Sequence, residues 1–381
     1  MTAPVEDKIY ASVVGSLPDL SGRCYAITGT TTGTGFWAAV AAVRKSAACV
    51  LLLNRPSERT AESERQVVAE GKGASKVISV DCDLQSFASV RAAAERVRGL
   101  AAEFGGLDGL VNNAGVMAVP DARTQDGYDV QMQTNHLSHF LLTKLLLPSL
   151  EAAASVRGEA RVVQHSSGAR GNHRAAGEGN LESQFFRQAA PGALGGDGME
   201  ACFNRYHQTK LANPVFAMAL HEKLLVAGSK IKSLCAEPGV SATNLAANMT
   251  AGHRQARKAA ARPASASPKD KAKAKARSPQ PAGSNFKPQS AADGACPLVE
   301  AAFASTASGG DFYMPGEMIN GTPVGMAVKC MTAGKPTPTS ASMAKQFKNE
   351  ALTMSQANRL LLWAESERAT EEFKVGALSK L

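Results

Sequence analysis

The chain has 381 residues, 44% of them hydrophobic and 20% charged, which is enough for one or two domains with a large core. This composition excludes a globally disordered chain, and no apolar run reaches the roughly 18–20 residues that a membrane-spanning helix needs. The formal net charge of +9 resides entirely in residues 251–290, which excludes a protein-wide nucleic-acid-binding surface.

From residue 24 onward, apolar strands alternate with helical stretches. The predicted strands are Cys24–Thr28, Cys49–Leu53, Lys76–Val80, Gly109–Asn112, Ala160–His165 and Ile231–Ala236. The predicted helices are Phe36–Lys45, Ser57–Gly71, Gln85–Phe104, Thr134–Leu150 and Phe203–Val226. The alternation predicts an α/β fold with a doubly wound, Rossmann-type parallel sheet covered on both faces.

A glycine-rich turn follows the first strand and precedes a helix. Gly29, Gly33 and Gly35 would let the backbone approach a pyrophosphate, and the amino end of the helix that follows the turn offers N–H donors. Three glycines in a loop are a weak signal alone, so a simple turn is the alternative.

The second predicted strand ends in Asn54-Arg55, with Arg59 close behind. A carboxylate at this point would bind a ribose 2′-hydroxyl and repel a 2′-phosphate. Since an amide and two guanidinium groups are present instead, the sequence favours NADP(H), although an exposed arginine at a strand end is common.

Further motifs follow in chain order. They are Asp83-Leu84, Asn112-Asn113-Ala114-Gly115, Asn135, Ser166-Ser167 and Tyr206-x-x-x-Lys210. Together with the glycine-rich turn, they resemble the short-chain dehydrogenase/reductase family. The stretch 134–143 and segments near 310–313, 321–324 and 362–366 are similar to the retinol-dehydrogenase-like and WW-domain-oxidoreductase-like branch.

The pair Tyr206 and Lys210 is one helical turn apart, so both side chains share a helix face. A nearby ammonium is expected to lower the pKa of the phenol. The resemblance implies that Tyr206 is the acid/base group, that Lys210 also binds the nicotinamide ribose, that Ser167 polarises a carbonyl and that Asn135 holds a water in a proton relay.

The resemblance also implies a set of residues that hold the cofactor. Besides the catalytic Tyr206 and Lys210, these are Gly29, Thr32, Gly33, Gly35, Asn54, Arg55, Asp83, Leu84, Asn113, Ala114, Gly115, Pro238, Gly239, Val240 and Thr243. The last four follow a strand at the point where the family's backbone meets the nicotinamide amide. No metal ligand set is expected.

Two departures from the family pattern stand out. Thr34 replaces the usual Ile or Leu between the last two glycines. Pro214 lies four residues after Lys210, where it cannot bond the Lys210 carbonyl and predicts a kink. Because this helix forms the dimer interface of many members, a homodimer is an open alternative here.

The predicted organisation is a single domain with an insertion. Residues 1–20 form an N-terminal extension, 21–250 the dinucleotide-binding catalytic part, 251–290 a basic low-complexity insertion that we expect to be disordered, and 291–381 the C-terminal completion. We expect an NADP(H)-dependent enzyme that interconverts a carbonyl and an alcohol on an apolar, retinoid- or lipid-like small molecule. The alternative is a catalytically weak scaffold that binds an acidic partner through the insertion.

The expected location is the peroxisomal matrix, with the cytoplasm as the alternative. Ser379-Lys380-Leu381 matches the targeting signal that the peroxisomal import receptor recognises at a free C-terminus. Glu6 and Asp7 interrupt the first twenty residues, which argues against a secretory leader. Seven scattered cysteines without a Cys-x-x-Cys pair favour a reducing compartment.

Overall fold

The sheet of the computed structural model has nine strands within the residues described, which are 8–171, 179–243, 245, 288–319, 322–336 and 348–375. The strands are β1 (Cys24–Thr28), β2 (Cys49–Asn54), β3 (Lys76–Asp81), β4 (Gly109–Asn112), β5 (Ala160–His165), β6 (Ile231–Ala236), β7 (Phe312–Ile319), β8 (Thr322–Thr332) and β9 (Lys335–Pro336). Their order is β3-β2-β1-β4-β5-β6-β7-β8-β9. The strands from β1 to β7 pair in parallel, and β8 and β9 add an antiparallel edge.

Helices cover both faces of this sheet. They are α1 (Lys8–Ser16), α2 (Gly33–Arg44), α3 (Glu58–Glu70), α4 (Phe87–Ala102), α5 (Ser138–Arg157), α6 (Met199–Val226), α7 (Ala291–Phe303), α8 (Lys348–Met354) and α9 (Gln356–Thr370). A helical turn, Val130–Met132, and a π-helical turn, Gln133–Leu137, lead into α5. None of the helices described here is long and apolar enough to cross a bilayer.

Two hydrophobic layers form because strand side chains alternate between the faces. In β1, Cys24 and Ala26 pack into the layer that contains α4, α5 and α6, whereas Tyr25 and Ile27 pack into the layer that contains α2 and α7. The doubly wound α/β fold predicted from the sequence is therefore confirmed.

The chain reverses its winding direction between β1 and β4, which are neighbours in the sheet although β2 and β3 separate them in sequence. In open α/β sheets, ligands bind in the crevice outside the carboxyl ends of the strands at such a switch point. This topology places the glycine-rich turn after β1 and the Asn113-Ala114-Gly115 segment after β4 beside each other.

The N-terminal extension contributes α1 to the same body. The Tyr10 hydroxyl donates to the Trp37 carbonyl at 2.5 Å, and the Tyr10 amide donates to the Asp293 carboxylate at 3.0 Å. These contacts join α1 to α2 and α7. Most of the predicted insertion, at 251–287, and the predicted import address, Ser379-Lys380-Leu381, lie outside the described residues.

Candidate active site

A cleft of about 740 Å³ opens at the switch point. Nearly all the residues that the sequence assigned to catalysis or cofactor binding line it: Gly29, Thr32, Gly33, Asn54, Arg55, Asp83, Leu84, Asn113, Ala114, Gly115, Ser167, Tyr206, Lys210, Pro238, Gly239, Val240 and Thr243. Gly35 and Asn135 do not line the cleft, and both lie directly behind it. Motifs spread over more than 200 residues of sequence thus converge on one site.

The glycine-rich turn needs two of its glycines for backbone conformation. Gly29 and Gly33 have φ angles of +72° and +70°, in the left-handed region that glycine adopts without strain. A Cβ atom at Gly29 would lie 2.8 Å from the Cα of Ala114, so the turn packs closely against the segment after β4. Gly35 packs against the side-chain amide of Asn113, which explains its place behind the cleft.

The amino end of α2 is suited to an anionic group. Its first turn contains no acidic residue, and the Thr32 side chain makes no capping hydrogen bond. The free N–H groups and the positive end of the helix dipole therefore remain available to a pyrophosphate. Thr243 faces this turn, since a Cβ atom at Gly33 would lie 3.4 Å from the Thr243 methyl group. A nicotinamide dinucleotide fits this cleft.

The Asn54 side chain, which the sequence assigned to cofactor binding, forms hydrogen bonds with Thr30 of the glycine-rich turn. Its Oδ1 accepts from the Thr30 amide at 2.8 Å, and its Nδ2 donates to the Thr30 hydroxyl at 2.7 Å. Arg55 and Arg59 are exposed at the rim of the cleft, and neither forms an ion pair within the described part of the chain. The two guanidinium groups are thus the available cationic groups at this rim.

Tyr206 is 2% exposed and lies on α6, within hydrogen-bonding reach of Ser167 at the end of β5. Burial raises the pKa of Tyr206 to about 12, and the hydrogen bond with Ser167 acts in the opposite direction. The Lys210 ammonium lies 5.9 Å from the centre of the tyrosine ring. The expected lowering of the tyrosine pKa by Lys210 does not hold in this geometry, because burial dominates.

Lys210 is held from the side of β5. Its Nζ donates to the His165 carbonyl at 3.0 Å, and burial lowers the pKa of Lys210 to about 8. A Cβ atom at Gly115 would lie 3.5 Å from this Nζ, so the ammonium also borders the segment after β4. The group is therefore poised to lose its charge in mildly alkaline solution.

Asn135 lies in the π-helical turn, and its amide joins two walls of the site. Its Oδ1 accepts from the Val116 amide at 2.8 Å, while its Nδ2 donates to the Val116 carbonyl and to the Thr209 hydroxyl, both at 2.9 Å. This side chain ties the segment after β4 to α6. The water relay that the sequence assigned to Asn135 stays a prediction.

Three histidines near the site have hydrogen-bond partners within the fold. His136 pairs with the Ser366 hydroxyl at 2.8 Å, His139 with the Thr28 hydroxyl at 2.9 Å, and His207 with a backbone carbonyl at 2.9 Å. In the described residues, no group of three or more potential ligands is placed to hold a metal ion.

The short chain dehydrogenase family model matches residues 23–178. A curated relative, the polyprenol dehydrogenase of Danio rerio, is 30% identical over 244 residues, which are 64% of this chain and 69% of that protein. The chain belongs to the short-chain dehydrogenase/reductase family.

Retinol dehydrogenase 12 of Bos taurus is 34% identical over 59% of this chain and 64% of its own length, in agreement with the retinol-dehydrogenase-like branch. A crystal structure of an uncharacterised Mycobacterium paratuberculosis protein is 28% identical and superimposes with a TM-score of 0.60, covering 95% of this chain and 98% of its own. The chain spans about three fifths of the length of other curated relatives, among them an uncharacterised oxidoreductase of Schizosaccharomyces pombe. Members of the family are oxidoreductases that use a nicotinamide cofactor.

One buried ion-pair network of this short-chain dehydrogenase/reductase was not found from the sequence. The guanidinium of Arg205, which directly precedes Tyr206, is fully buried and lies 3.3 Å from the Asp129 carboxylate. It also donates to the carbonyls of Leu194 and Gly196 at 3.0 and 2.8 Å. Asp129 caps the helical turn that leads to Asn135, so Arg205 joins three segments around the site.

A second buried pair joins Arg170 and Glu237, each 1% exposed. Arg170 also donates to the Ser167 carbonyl at 3.2 Å, and Glu237 directly precedes Pro238 of the cofactor segment. No local sequence pattern identifies either pair, because the partners are more than 60 residues apart.

Proposed function

We propose that this protein is an NADP(H)-dependent oxidoreductase that interconverts a carbonyl and an alcohol on an apolar, isoprenoid-like substrate. The observation that carries the proposal is the convergence of Ser167, Tyr206 and Lys210 on one cleft at the switch point. A scaffold would not need this set, so the non-enzymatic alternative is not favoured.

The nicotinamide, when bound, donates or accepts the hydride. Tyr206 gives a proton to the substrate oxygen during reduction and takes it back during oxidation. Ser167 hydrogen-bonds both the tyrosine hydroxyl and the substrate oxygen, which favours the charge that develops there. The Lys210 ammonium would hold the cofactor ribose, and the hydrogen bond with Ser167 opposes the effect of burial on the pKa of Tyr206.

Two observations support the proposed substrate class, one from the relatives and one from the walls of the cleft. Two relatives are named as dehydrogenases of polyprenol and of retinol. Both compounds are isoprenoid primary alcohols with an allylic hydroxyl. Val116, Met117, Val240 and Leu245 also line the cleft of this chain. Apolar walls of this kind suit a hydrocarbon tail, with the reacting oxygen at Tyr206 and Ser167.

The cofactor preference rests on Arg55, whose guanidinium can form charge-assisted hydrogen bonds with a 2′-phosphate. We expect NADPH to bind more tightly than NADH. An Arg55→Asp variant should weaken NADPH binding by about 10- to 100-fold, because such a bond contributes roughly 1.5–3 kcal/mol.

The experiment measures dissociation constants for both cofactors by fluorescence titration, followed by turnover with retinal, polyprenals, quinones and steroid carbonyls. Arg65→Asp is the matched control, since Arg65 is exposed on α3, pairs with Glu62 and does not line the cleft. Equal dissociation constants for NADPH and NADH in the unmodified protein would contradict the NADP(H) assignment. Absence of turnover on every carbonyl would contradict the activity.

A further inference from the structure

Pro214 removes one hydrogen bond from the helix that carries the catalytic pair. α6 runs from Met199 to Val226 with Pro214 inside it. In an α-helix, the N–H of residue 214 would donate to the carbonyl of residue 210, but proline has no N–H. Lys210 is 4% exposed, so its carbonyl would lack a partner in a place where an unmet polar atom is costly.

The hydroxyl of Ser166 supplies the missing donor. Ser166 is 2% exposed, and its Oγ donates to the Lys210 carbonyl at 2.7 Å. The Ser166 amide in turn donates to the Ala236 carbonyl of β6 at 2.7 Å. One residue thus connects β6, the end of β5 and the backbone of Lys210.

Two further bonds join the same ends of β5 and α6. The His165 carbonyl accepts from Lys210 Nζ at 3.0 Å and from Asn213 Nδ2 at 2.9 Å. The hydrogen bond from Ser166 holds the backbone of Lys210, whereas the hydrogen bond to the His165 carbonyl involves the Lys210 ammonium. The backbone contact can persist when the ammonium turns towards another partner.

We propose that Ser166 is a positioning residue for Lys210, required because Pro214 has removed the helical hydrogen bond of the Lys210 carbonyl. This inference rests on the proposed function only in that it takes Lys210 as the catalytic lysine. Ser166 differs in role from its neighbour Ser167, whose hydroxyl bonds Tyr206. Ser166 lines the same cleft, but its hydroxyl bonds the Lys210 carbonyl, so it acts on the reaction through Lys210.

The test is a double-mutant cycle in the full chain with Ser166→Ala, Pro214→Ala and both changes together. In the Pro214 background, Ser166→Ala leaves the Lys210 carbonyl without a donor. We expect kcat to fall about 10-fold or more with little change in KM, and NADPH to bind several-fold more weakly. In the Pro214→Ala background, the amide of the introduced alanine can donate to that carbonyl, so the same change should cost less than about 2-fold in both quantities.

Ser166→Thr keeps a hydroxyl at the same position and should recover most of kcat, while circular dichroism shows that each variant is folded. Equal losses from Ser166→Ala in the two backgrounds, or no loss in either, would overturn the inference. If the unmodified protein turns over no carbonyl, the proposed function fails, and the cycle in NADPH dissociation constants still decides the role of Ser166. If turnover is present without coupling between positions 166 and 214, only the inference about Ser166 fails.

Discussion

Thr34 stands in the first turn of α2, and its hydroxyl donates to Asn113 Oδ1 at 2.9 Å. Asn113 in turn donates from Nδ2 to the carbonyls of Thr28 and Gly29 at 2.9 and 3.2 Å. The threonine that departs from the family pattern therefore fixes the amide that holds the glycine-rich turn. At the scale of single residues, the glycine-rich turn of the cofactor site depends on the hydrogen bonds of the buried Asn113 side chain.

A Thr34→Val variant keeps the shape of the side chain and removes its hydroxyl. We expect a loss of about 1–3 kcal/mol in the free energy of unfolding, because Asn113 Oδ1 would be buried without a donor. NADPH should also bind more weakly, since the turn after β1 would lose its support. Urea denaturation checks the first effect, with Thr306→Val, at an exposed position, as the control. Equal stabilities of the two variants would contradict this account.

At the scale of elements, α9 packs against α5 and α6. α6 carries Tyr206 and Lys210, and α5 follows the π-helical turn that contains Asn135. The Trp363 ring stacks on Phe373 at 5.3 Å and meets the edge of Phe140 at 5.3 Å. The Lys223 ammonium lies over the same ring at 4.3 Å. This cluster covers a face of α6, so a homodimer through that face would have to displace α9. The homodimer stays a prediction.

Replacement of Trp363 by alanine should cost about 3–5 kcal/mol, the range for a large aromatic side chain removed from a core. Because His136 of the π-helical turn bonds Ser366 of α9, activity should fall as well. Thermal unfolding followed by circular dichroism measures the loss of stability. Leu360→Ala is the matched control, since Leu360 is on α9 and 65% exposed. A similar small shift in both variants would refute the packing role of Trp363.

At the scale of the whole molecule, three buried histidines couple stability to pH. Burial lowers the pKa of His136 to about 3, that of His139 to about 4 and that of His165 to about 3. His136 also faces His139, and the Lys210 ammonium lowers the pKa of both His139 and His165. These three histidines therefore stay neutral in the folded chain at pH values where they bind protons in the unfolded chain, which they do near pH 6.5.

Below pH 6.5 the unfolded state binds more protons than the folded state, so stability should fall as the pH is lowered from 7 to 5. Each histidine contributes up to about 1.4 kcal/mol per pH unit. Urea midpoints at pH 7, 6 and 5 measure the slope, which His136→Gln should reduce by up to about 1.4 kcal/mol per pH unit. A stability that is constant over this interval would contradict the buried, neutral state of these histidines.

The six strands from β1 to β6 were predictable because each is a short apolar run between polar turns, and their order places the motifs at one edge. β7 was not predicted, since Pro315 and Gly316 interrupt its apolar pattern, and β8, which pairs with it, was not predicted either. The site residues were predictable where a motif has fixed spacing, as in Tyr206 and Lys210. The contacts of Arg205 and of Ser166 were not, because they join segments that meet only in the folded chain.

The central claim is that Tyr206 exchanges a proton with a substrate oxygen while the bound nicotinamide exchanges a hydride with the adjacent carbon. In the most direct measurement, the protein is incubated with an isoprenoid aldehyde and deuterated NADPH. The deuterium is at C4 of the nicotinamide, in the position whose hydride is transferred. The alcohol formed is analysed by mass spectrometry. We expect one deuterium in the alcohol with the unmodified protein. Tyr206→Phe should bind NADPH with an unchanged dissociation constant but form the alcohol about 10²- to 10⁴-fold more slowly. Deuterated alcohol formed equally fast by both proteins, or no deuterium in the product, would contradict the account.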